Sequence, residues 1–220
     1  MNEAFSTIIR EDVYTVGCGR TDTGVHAKKF YAHFDLPGTI ENLPDIVFKA
    51  NCVLPKEVAV HRIFECDPDL HARFSAEKRV YQYLISTSKN PFMVHRAFEY
   101  REPLNLDAMN DACSILVKHK DFTSFAKLHG DSETNLCDIF MASWTESPGK
   151  VQFEISANRF LRNMVRAIVG TMIELGIGKI NLDQFEGIIE AKDRSAAGYS
   201  VPAHGLYLTD IHYPAKYNVA

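Results

Sequence analysis

The chain's most chemically suggestive residues lie in one short glycine-bearing segment. It covers residues 17–26 and reads GCGRTDTGVH. The Asp22 carboxylate lies between Arg20, two residues earlier, and His26, four residues later. The glycines permit a tight turn and the close approach of a ligand. These three polar side chains could hold charge in a cleft, but a β-turn whose aspartate caps its own backbone accounts for the same pattern.

Two phosphate-binding motifs do not fit this segment. A dinucleotide-binding GxGxxG motif would need a third glycine where Asp22 stands. A P-loop reads GxxxxGK[ST], and Gly19 and Gly24 have its spacing, but Val25 and His26 replace the lysine and the hydroxyl residue. The segment therefore does not predict nucleotide binding.

Two further patterns are compatible with plain structural roles. Arg159, Arg162 and Arg166 recur at i, i+3 and i+7, which places them on one face of a helix predicted over residues 159–175. A charged helix face is usually solvated surface. A strand predicted over residues 79–86 places Tyr81 on the same face as other apolar residues, and such aromatic stripes usually belong to the core.

Composition excludes several classes of protein. The 220 residues carry a formal net charge of −4 and are 46% hydrophobic, an ordinary globular mix that argues against a disordered, collagen-like or coiled-coil chain. No apolar run approaches the ~20 residues that span a bilayer, and the first residues show no export signal. The mildly acidic charge argues against indiscriminate nucleic-acid binding but leaves room for a local basic cleft.

The cysteines and histidines do not suggest a metal site or a disulfide framework. The five cysteines have irregular spacing and form no CxxC pair, so reduced thiols in a cytosolic protein are the simplest explanation. His26, His33 and His71 lack the spacing of a metal site.

Strands and helices alternate along the chain. Helices are predicted over residues 3–10, 45–51, 107–118, 159–175 and 182–191, with Asn105 as an N-cap. Strands are predicted over residues 13–16, 30–36, 58–64, 79–86, 139–145, 151–156 and 206–213. With a hairpin around Pro148-Gly149, this order predicts an α+β fold with a largely antiparallel sheet and an internal boundary between residues 87 and 104.

Five segments form a specific combination of motifs. They read GRTDTGVHA with AHF (residues 19–34), FSA with RVYQY (74–83), DFTSF (121–125), NRFLRNMVR with IVG (158–170) and GLYL (205–208). Any one of them alone is weak. Together, and in this order, they resemble the TruA-type tRNA pseudouridine synthase family.

The resemblance implies an isomerase that converts uridine in tRNA to pseudouridine. It assigns Asp22 as the nucleophile, Tyr81 as the residue that stacks on the uracil and a candidate base, and Arg166 as the ion-pair partner of Asp22. It makes Leu206 a wall of the uracil pocket. The remaining expected RNA contacts are Arg20, His26, Arg73, Arg79, Arg159 and Arg162. The reaction has no redox change and no net hydrolysis, so no cofactor and no metal ion are expected.

The same resemblance implies an architecture and partners. It predicts two similar α+β halves that form a largely antiparallel mixed sheet, with helices on one side and a central cleft. Residues 1–95 would carry the aspartate loop, and residues 96–220 the arginine helix and the GLYL strand. A cytoplasmic homodimer is expected to modify uridines at tRNA positions 38 to 40, in the anticodon stem-loop. The family's N-terminal strand, with its Tyr-x-Gly…Gly-Trp-Gln motif, is expected to be missing, because the only tryptophan is Trp144.

Two other function classes stay open on the sequence. One is a non-catalytic RNA-binding protein or tRNA chaperone on the same scaffold. The other is a hydrolase of glycosidic bonds, which would need a second carboxylate near Asp22.

Overall fold

The structure, a computed structural model, describes residues 1–127, 133–217 and 219. Its helices and strands, in chain order, are α1 (Asn2–Ile9), β1 (Val16–Gly17), β2 (His26–Ala27), β3 (Ala32–His33), α2 (Leu43–Val53), β4 (Lys78–Ser86), β5 (Phe98–Glu99), α3 (Leu106–Lys118), β6 (Ile139–Ser147), β7 (Lys150–Ala157), α4 (Met164–Gly176), α5 (Leu182–Ala191) and β8 (Leu206–His212). Short 3-10 turns cover Pro91–Met93, Thr123–Phe125, Ala203–Gly205 and Ala215–Tyr217.

The chain divides into two units. The smaller comprises Met1–Arg20, Tyr31–Ala76 and Tyr213–Ala220, and the larger comprises Thr21–Phe30 and Glu77–His212. These units cut the chain differently from the halves 1–95 and 96–220, which stay a prediction. In the smaller unit, β1 pairs antiparallel with β3, and Phe5, Val13, Ile46 and Ala50 form the core.

A six-stranded mixed sheet organises the larger unit. Its strands lie in the order β2-β8-β4-β7-β6, and β5 pairs with β4. Strand β4 pairs antiparallel with both β7 and β8, and β6 pairs antiparallel with β7. The two short ladders, β2 with β8 and β4 with β5, are parallel. The predicted α+β class with a largely antiparallel mixed sheet is therefore confirmed.

The helices of the larger unit share one core with its sheet. Fully buried side chains from β4 and β7, such as Tyr83 and Phe153, belong to the same cluster as Leu116 of α3, Ile168 of α4 and Phe185 of α5. The predicted N-cap of α3 is correct, since the Asn105 side chain accepts a hydrogen bond from the amide of Ala108.

Three strand predictions were wrong or too long. Residues 58–64 form neither a helix nor a strand. Within them, the backbone of Val60 bonds to the Asn51 side chain, which accepts from its amide at 2.8 Å and donates to its carbonyl at 2.7 Å. Strands predicted over residues 13–16 and 30–36 shorten to β1 and β3, which pair over only two residues each.

The predicted helix over residues 159–175 begins too early. Helix α4 starts at Met164, so Arg159 and Arg162 precede it and do not share a helix face with Arg166. Asn158 fixes the connection after β7, because its side chain accepts from the amide of Asp138 and donates to the Asp138 carboxylate. Asn163 then adopts a left-handed conformation (φ 68°), which asparagine tolerates better than most residues.

Candidate active site

Asp22 lies in a tight turn directly before β2. The Val25 amide donates to the Asp22 carbonyl at 3.0 Å, and Gly24 has a φ of +86°, a left-handed conformation that favours glycine. The predicted turn is therefore correct. The Asp22 carboxylate bonds to two arginine side chains from beyond β7, which a self-capping turn does not explain.

The sheet brings this turn close to two other predicted site residues. Strand β2 pairs with β8 at His26↔Tyr207, and β8 pairs with β4 at Tyr81↔Leu208 and Tyr83↔Leu206. The strand that follows the aspartate turn, the strand that begins with Leu206 and the strand that carries Tyr81 are therefore neighbours.

Two guanidinium groups contact the Asp22 carboxylate. Arg166 Nη1 lies 3.3 Å from Oδ2, and Arg162 Nε lies 3.3 Å from Oδ1. The side chains of Asp22 and Arg166 are 25% and 20% exposed, whereas that of Arg162 is 61% exposed. Charge-assisted hydrogen bonds of this kind stabilise a carboxylate anion. The predicted Asp22–Arg166 pair is thus present, and Arg162, expected only at the RNA, joins it.

A backbone contact fixes the direction of Arg166. Its Nε donates to the Val201 carbonyl at 2.7 Å, and the Val201 amide donates to the Arg166 carbonyl at 3.3 Å. One edge of the guanidinium is thus engaged by the segment before β8 while Nη1 reaches Asp22.

Tyr81 and Tyr83 differ despite their shared strand face. Tyr83 is fully buried, its hydroxyl donates to the Pro202 carbonyl at 2.8 Å, and burial raises its pKa above the ordinary phenol value. Tyr81 is only partly buried and meets the ring of Phe160 edge-on, with centroids 5.1 Å apart. Tyr83 is therefore a structural core residue, whereas Tyr81 packs against the same core but is only partly buried.

Leu206 and the glycine before it pack against this core. Leu206 is 7% exposed and is the first residue of β8. A Cβ at Gly205 would approach Tyr83 Cζ to 2.6 Å, so only glycine allows the turn to close over the phenol ring.

The remaining expected RNA contacts have different surroundings. His26 stacks on Tyr207 with centroids 4.6 Å apart, and Arg79 Nη1 donates to the Asn158 carbonyl at 2.8 Å. Arg159 is half-buried. Arg20 and Arg73 are exposed and belong to the smaller unit. Arg162, by contrast, donates a hydrogen bond directly to the Asp22 carboxylate.

Comparison with known proteins identifies the family. Residues 112–214 match the family model described as tRNA pseudouridine synthase. The chain is 48% identical to tRNA pseudouridine synthase A of Parabacteroides distasonis, over 98% of this chain and 86% of that protein. The same-named proteins of Bacteroides fragilis and Bacillus subtilis are 45% and 40% identical, over 97% and 93% of this chain and 85% and 83% of theirs. The chain belongs to the tRNA pseudouridine synthase family.

The synthase is therefore an isomerase that acts on tRNA. Within residues 1–127, 133–217 and 219, the helices lack the length and apolar character that a membrane span requires. Among the same residues, no group of three or more His, Cys, Asp or Glu side chains is arranged to hold a metal ion.

Sequence patterns did not predict the contacts that Ser200 and Val201 make with Asn163 and Arg166. The Val201 carbonyl that anchors Arg166 is a backbone group, which no side-chain pattern reveals. Asn163, whose side chain donates to the Ser200 hydroxyl at 2.6 Å, lies inside the predicted helix but precedes α4 in the structure. The available signal was the asparagine itself, since asparagine is common in left-handed positions at element boundaries.

Proposed function

We propose that this synthase isomerises uridines at positions 38 to 40 of the tRNA anticodon stem-loop, with Asp22 as the nucleophile. The observation that carries the proposal is the Asp22 carboxylate, three-quarters buried at the end of a glycine-bearing turn and paired with two guanidinium groups. A nucleophilic carboxylate must be ionised, and the two positive charges stabilise that form.

The isomerisation breaks the bond between ribose C1′ and uracil N1 and forms a bond between C1′ and C5. The proton on C5 is released and N1 gains one, so atoms and electrons balance without an oxidant or a co-reactant. Attack by Asp22 at either C1′ of the ribose or C6 of the base satisfies this balance. Arg166 holds the carboxylate in one orientation, since its own direction is fixed by the Val201 carbonyl.

Tyr81 is the proposed partner for the uracil. Its ring stacks on the base, and its phenol is a candidate to accept the C5 proton. Its partial burial supports this role, because the neighbouring Tyr83 shows what a purely structural tyrosine looks like on the same strand. Leu206 forms an apolar wall of the same pocket.

Binding must offset the cost of unstacking the target uridine, a few kcal/mol. We assign this to RNA contacts by Arg20, His26, Arg73, Arg79, Arg159 and Arg162. Because the chain has a net charge of −4, the attraction to phosphates must come from individual cations and not from the charge of the whole chain. A cytoplasmic homodimer, in which each tRNA contacts both subunits across a cleft between two similar halves, would enlarge the binding surface.

Tritium release from tRNA labelled at uridine C5 tests the nucleophile. Asp22→Asn preserves the side chain's size and removes its charge, so we expect tRNA binding to persist while tritium release disappears. Asp45→Asn is the matched control, because Asp45 forms an exposed ion pair with Lys49 on α2; its tritium release should equal that of the wild type.

Product analysis tests the alternatives in the same samples. Full tritium release by Asp22→Asn would show that Asp22 is not the nucleophile. Free uracil among the products would indicate glycosidic hydrolysis, and tRNA binding by the wild type without any tritium release would indicate a non-catalytic binding protein.

A further inference from the structure

The segment between α5 and β8 crosses directly over helix α4. We name residues 194–202 the strap. A Cβ placed on Gly170 would lie 1.8 Å from the Tyr199 carbonyl oxygen, and the Gly198 amide donates to Thr171 Oγ1 at 2.9 Å. The strap therefore lies against the helix backbone itself, with no side chain between them at this point.

Arg194 organises the strap from within. Its Nη1 donates to the carbonyls of Ala197 and Gly198, at 3.3 and 3.1 Å, and its Nη2 donates to Ser200 Oγ at 3.0 Å. The residue is half-buried. A planar guanidinium can serve three acceptors at fixed angles, which the single ammonium of lysine cannot reproduce.

The far end of the strap contacts Arg166 directly and Asn163, the neighbour of Arg162. Ser200 Oγ accepts a second hydrogen bond, at 2.6 Å, from Asn163 Nδ2, and Asn163 is the left-handed residue directly after Arg162. Val201 is bound to Arg166 through both its amide and its carbonyl. Hydrogen bonds thus run from Arg194 to Ser200 and on to Asn163, next to Arg162 in the chain. The peptide bond from Ser200 to Val201 connects them to the Arg166 guanidinium.

We propose that Arg194 is a positioning residue for the isomerisation, acting through Ser200 and Val201 on the arginines that orient Asp22. It does not contact the carboxylate itself. This inference rests on the proposed function, because it gives Arg194 importance only if the Asp22 carboxylate is the reacting group. A shift of about 1 Å in a reacting group can cost about 100-fold in rate, so a small displacement of the strap is sufficient for the effect.

The competing explanation is that Arg194 merely keeps a surface loop folded. The same loop provides a matched control for this. Ser195 donates through its amide and its hydroxyl to the Asp193 carboxylate, at 2.9 and 2.6 Å, and these contacts stay at the start of the loop. Ser195→Ala therefore removes a loop hydrogen bond without altering the set that reaches the arginines.

The experiment compares Arg194→Lys, Ser200→Ala, Ser200→Thr and Ser195→Ala in the full chain. For each variant, single-turnover tritium release, the tRNA dissociation constant and the unfolding temperature are measured. We expect Arg194→Lys and Ser200→Ala to slow the single-turnover rate by about 10- to 100-fold while the tRNA dissociation constant changes by less than about threefold. Ser200→Thr keeps the hydroxyl and should restore the rate, and Ser195→Ala should match the wild type.

Several results would overturn the role of Arg194. One is a lower unfolding temperature in Arg194→Lys with an unchanged rate. Another is an equal loss of rate in Ser195→Ala and Ser200→Ala. If Arg194→Lys does not fold, the Ser200→Ala and Ser200→Thr pair decides the question alone. Asp22→Asn, measured beside them, separates the two proposals. If Asp22→Asn is active, Asp22 is not the nucleophile. If Asp22→Asn is inactive and Ser200→Ala has the wild-type rate, only the role of Arg194 is overturned.

Discussion

Two regions supply a guanidinium to the same carboxylate, and they do so under different constraints. Arg166 projects from the buried helix α4, and Arg162 is the exposed residue of the connection over residues 158–163 that precedes it. Both contact Asp22 at 3.3 Å. Arg166 is also bound to the Val201 carbonyl and is 20% exposed, whereas Arg162 is 61% exposed.

The two arginines therefore have different roles although their distances to Asp22 are equal. An exposed ion pair contributes about 0–1 kcal/mol and exchanges readily with other ions. Arg162 can therefore leave Asp22 for a phosphate group of the RNA at little cost. If Arg166 turned away, the Val201 carbonyl would lose its hydrogen-bond donor. We accordingly assign Arg166 to the carboxylate and Arg162 to both the carboxylate and the incoming substrate.

Removal of Arg166 should have the largest effect. We expect Arg166→Ala to lower kcat by at least about 100-fold, the typical cost of losing one preorganised donor at a reacting charge, and to lower the unfolding temperature as well. Arg101→Ala is the control, since Arg101 pairs with Glu99 at the surface. A kcat for Arg166→Ala within threefold of the wild type would contradict the assignment.

Gly170→Ala should disturb the buried region without changing any charge. The new Cβ would meet the Tyr199 carbonyl at 1.8 Å, so either the strap or the helix must move, and we expect a loss of about 1–3 kcal/mol in the free energy of unfolding. Denaturant unfolding measures it. Gly187→Ala is the matched control in α5: nothing lies within 4 Å of its Cβ position, and it should stabilise the protein by about 0.5–1 kcal/mol. Equal effects at the two sites would show that the strap does not press on α4.

Arg162→Ala should separate the two arginines most sharply. If Arg162 neutralises one phosphate in the complex, its loss should reduce the slope of log K against log salt by about 0.7–0.9. The slope for Arg166→Ala should stay at the wild-type value, because that guanidinium remains with the protein. Titration of labelled tRNA at several salt concentrations measures both slopes. An unchanged slope for Arg162→Ala would remove the distinction between the two regions.

Tyr83→Phe, a change at a fully buried core residue, should have the smallest effect. It removes the hydrogen bond to the Pro202 carbonyl and should cost about 1 kcal/mol in the free energy of unfolding. Because Pro202 is the last residue of the strap, we expect a loss of single-turnover rate smaller than that of Ser200→Ala. A loss as large as that of Arg166→Ala, with normal stability, would instead mean that Tyr83 takes part in the chemistry.

Local patterns predicted the parts of the fold that local physics determines. Asn105 was recognised as the N-cap of α3, and the hairpin of β6 and β7 was placed around Pro148-Gly149, because caps and tight turns depend on adjacent residues. The strand predicted over residues 58–64 is absent, and the contact found there, between the Asn51 side chain and the backbone of Val60, is one that local alternation does not predict.

The site was less accessible to such patterns. Spacing at i, i+3 and i+7 suggested one helix for three arginines, since the pattern records periodicity but not where a helix begins. The Asp22–Arg166 contact spans 144 positions and was expected only through the resemblance to a family. No sequence pattern indicated the role of Arg194, because a guanidinium that binds backbone carbonyls has no characteristic spacing.

The strap also determines how much its own length can vary. Surface connections usually accept inserted or deleted residues, since few contacts depend on their path. Here Gly198 must meet Thr171 and Val201 must meet Arg166 along a single chain. If one residue were added between Gly198 and Val201, the contact with Thr171 and the contact with Arg166 could not both form. We therefore expect this connection to keep a constant number of residues while neighbouring loops vary.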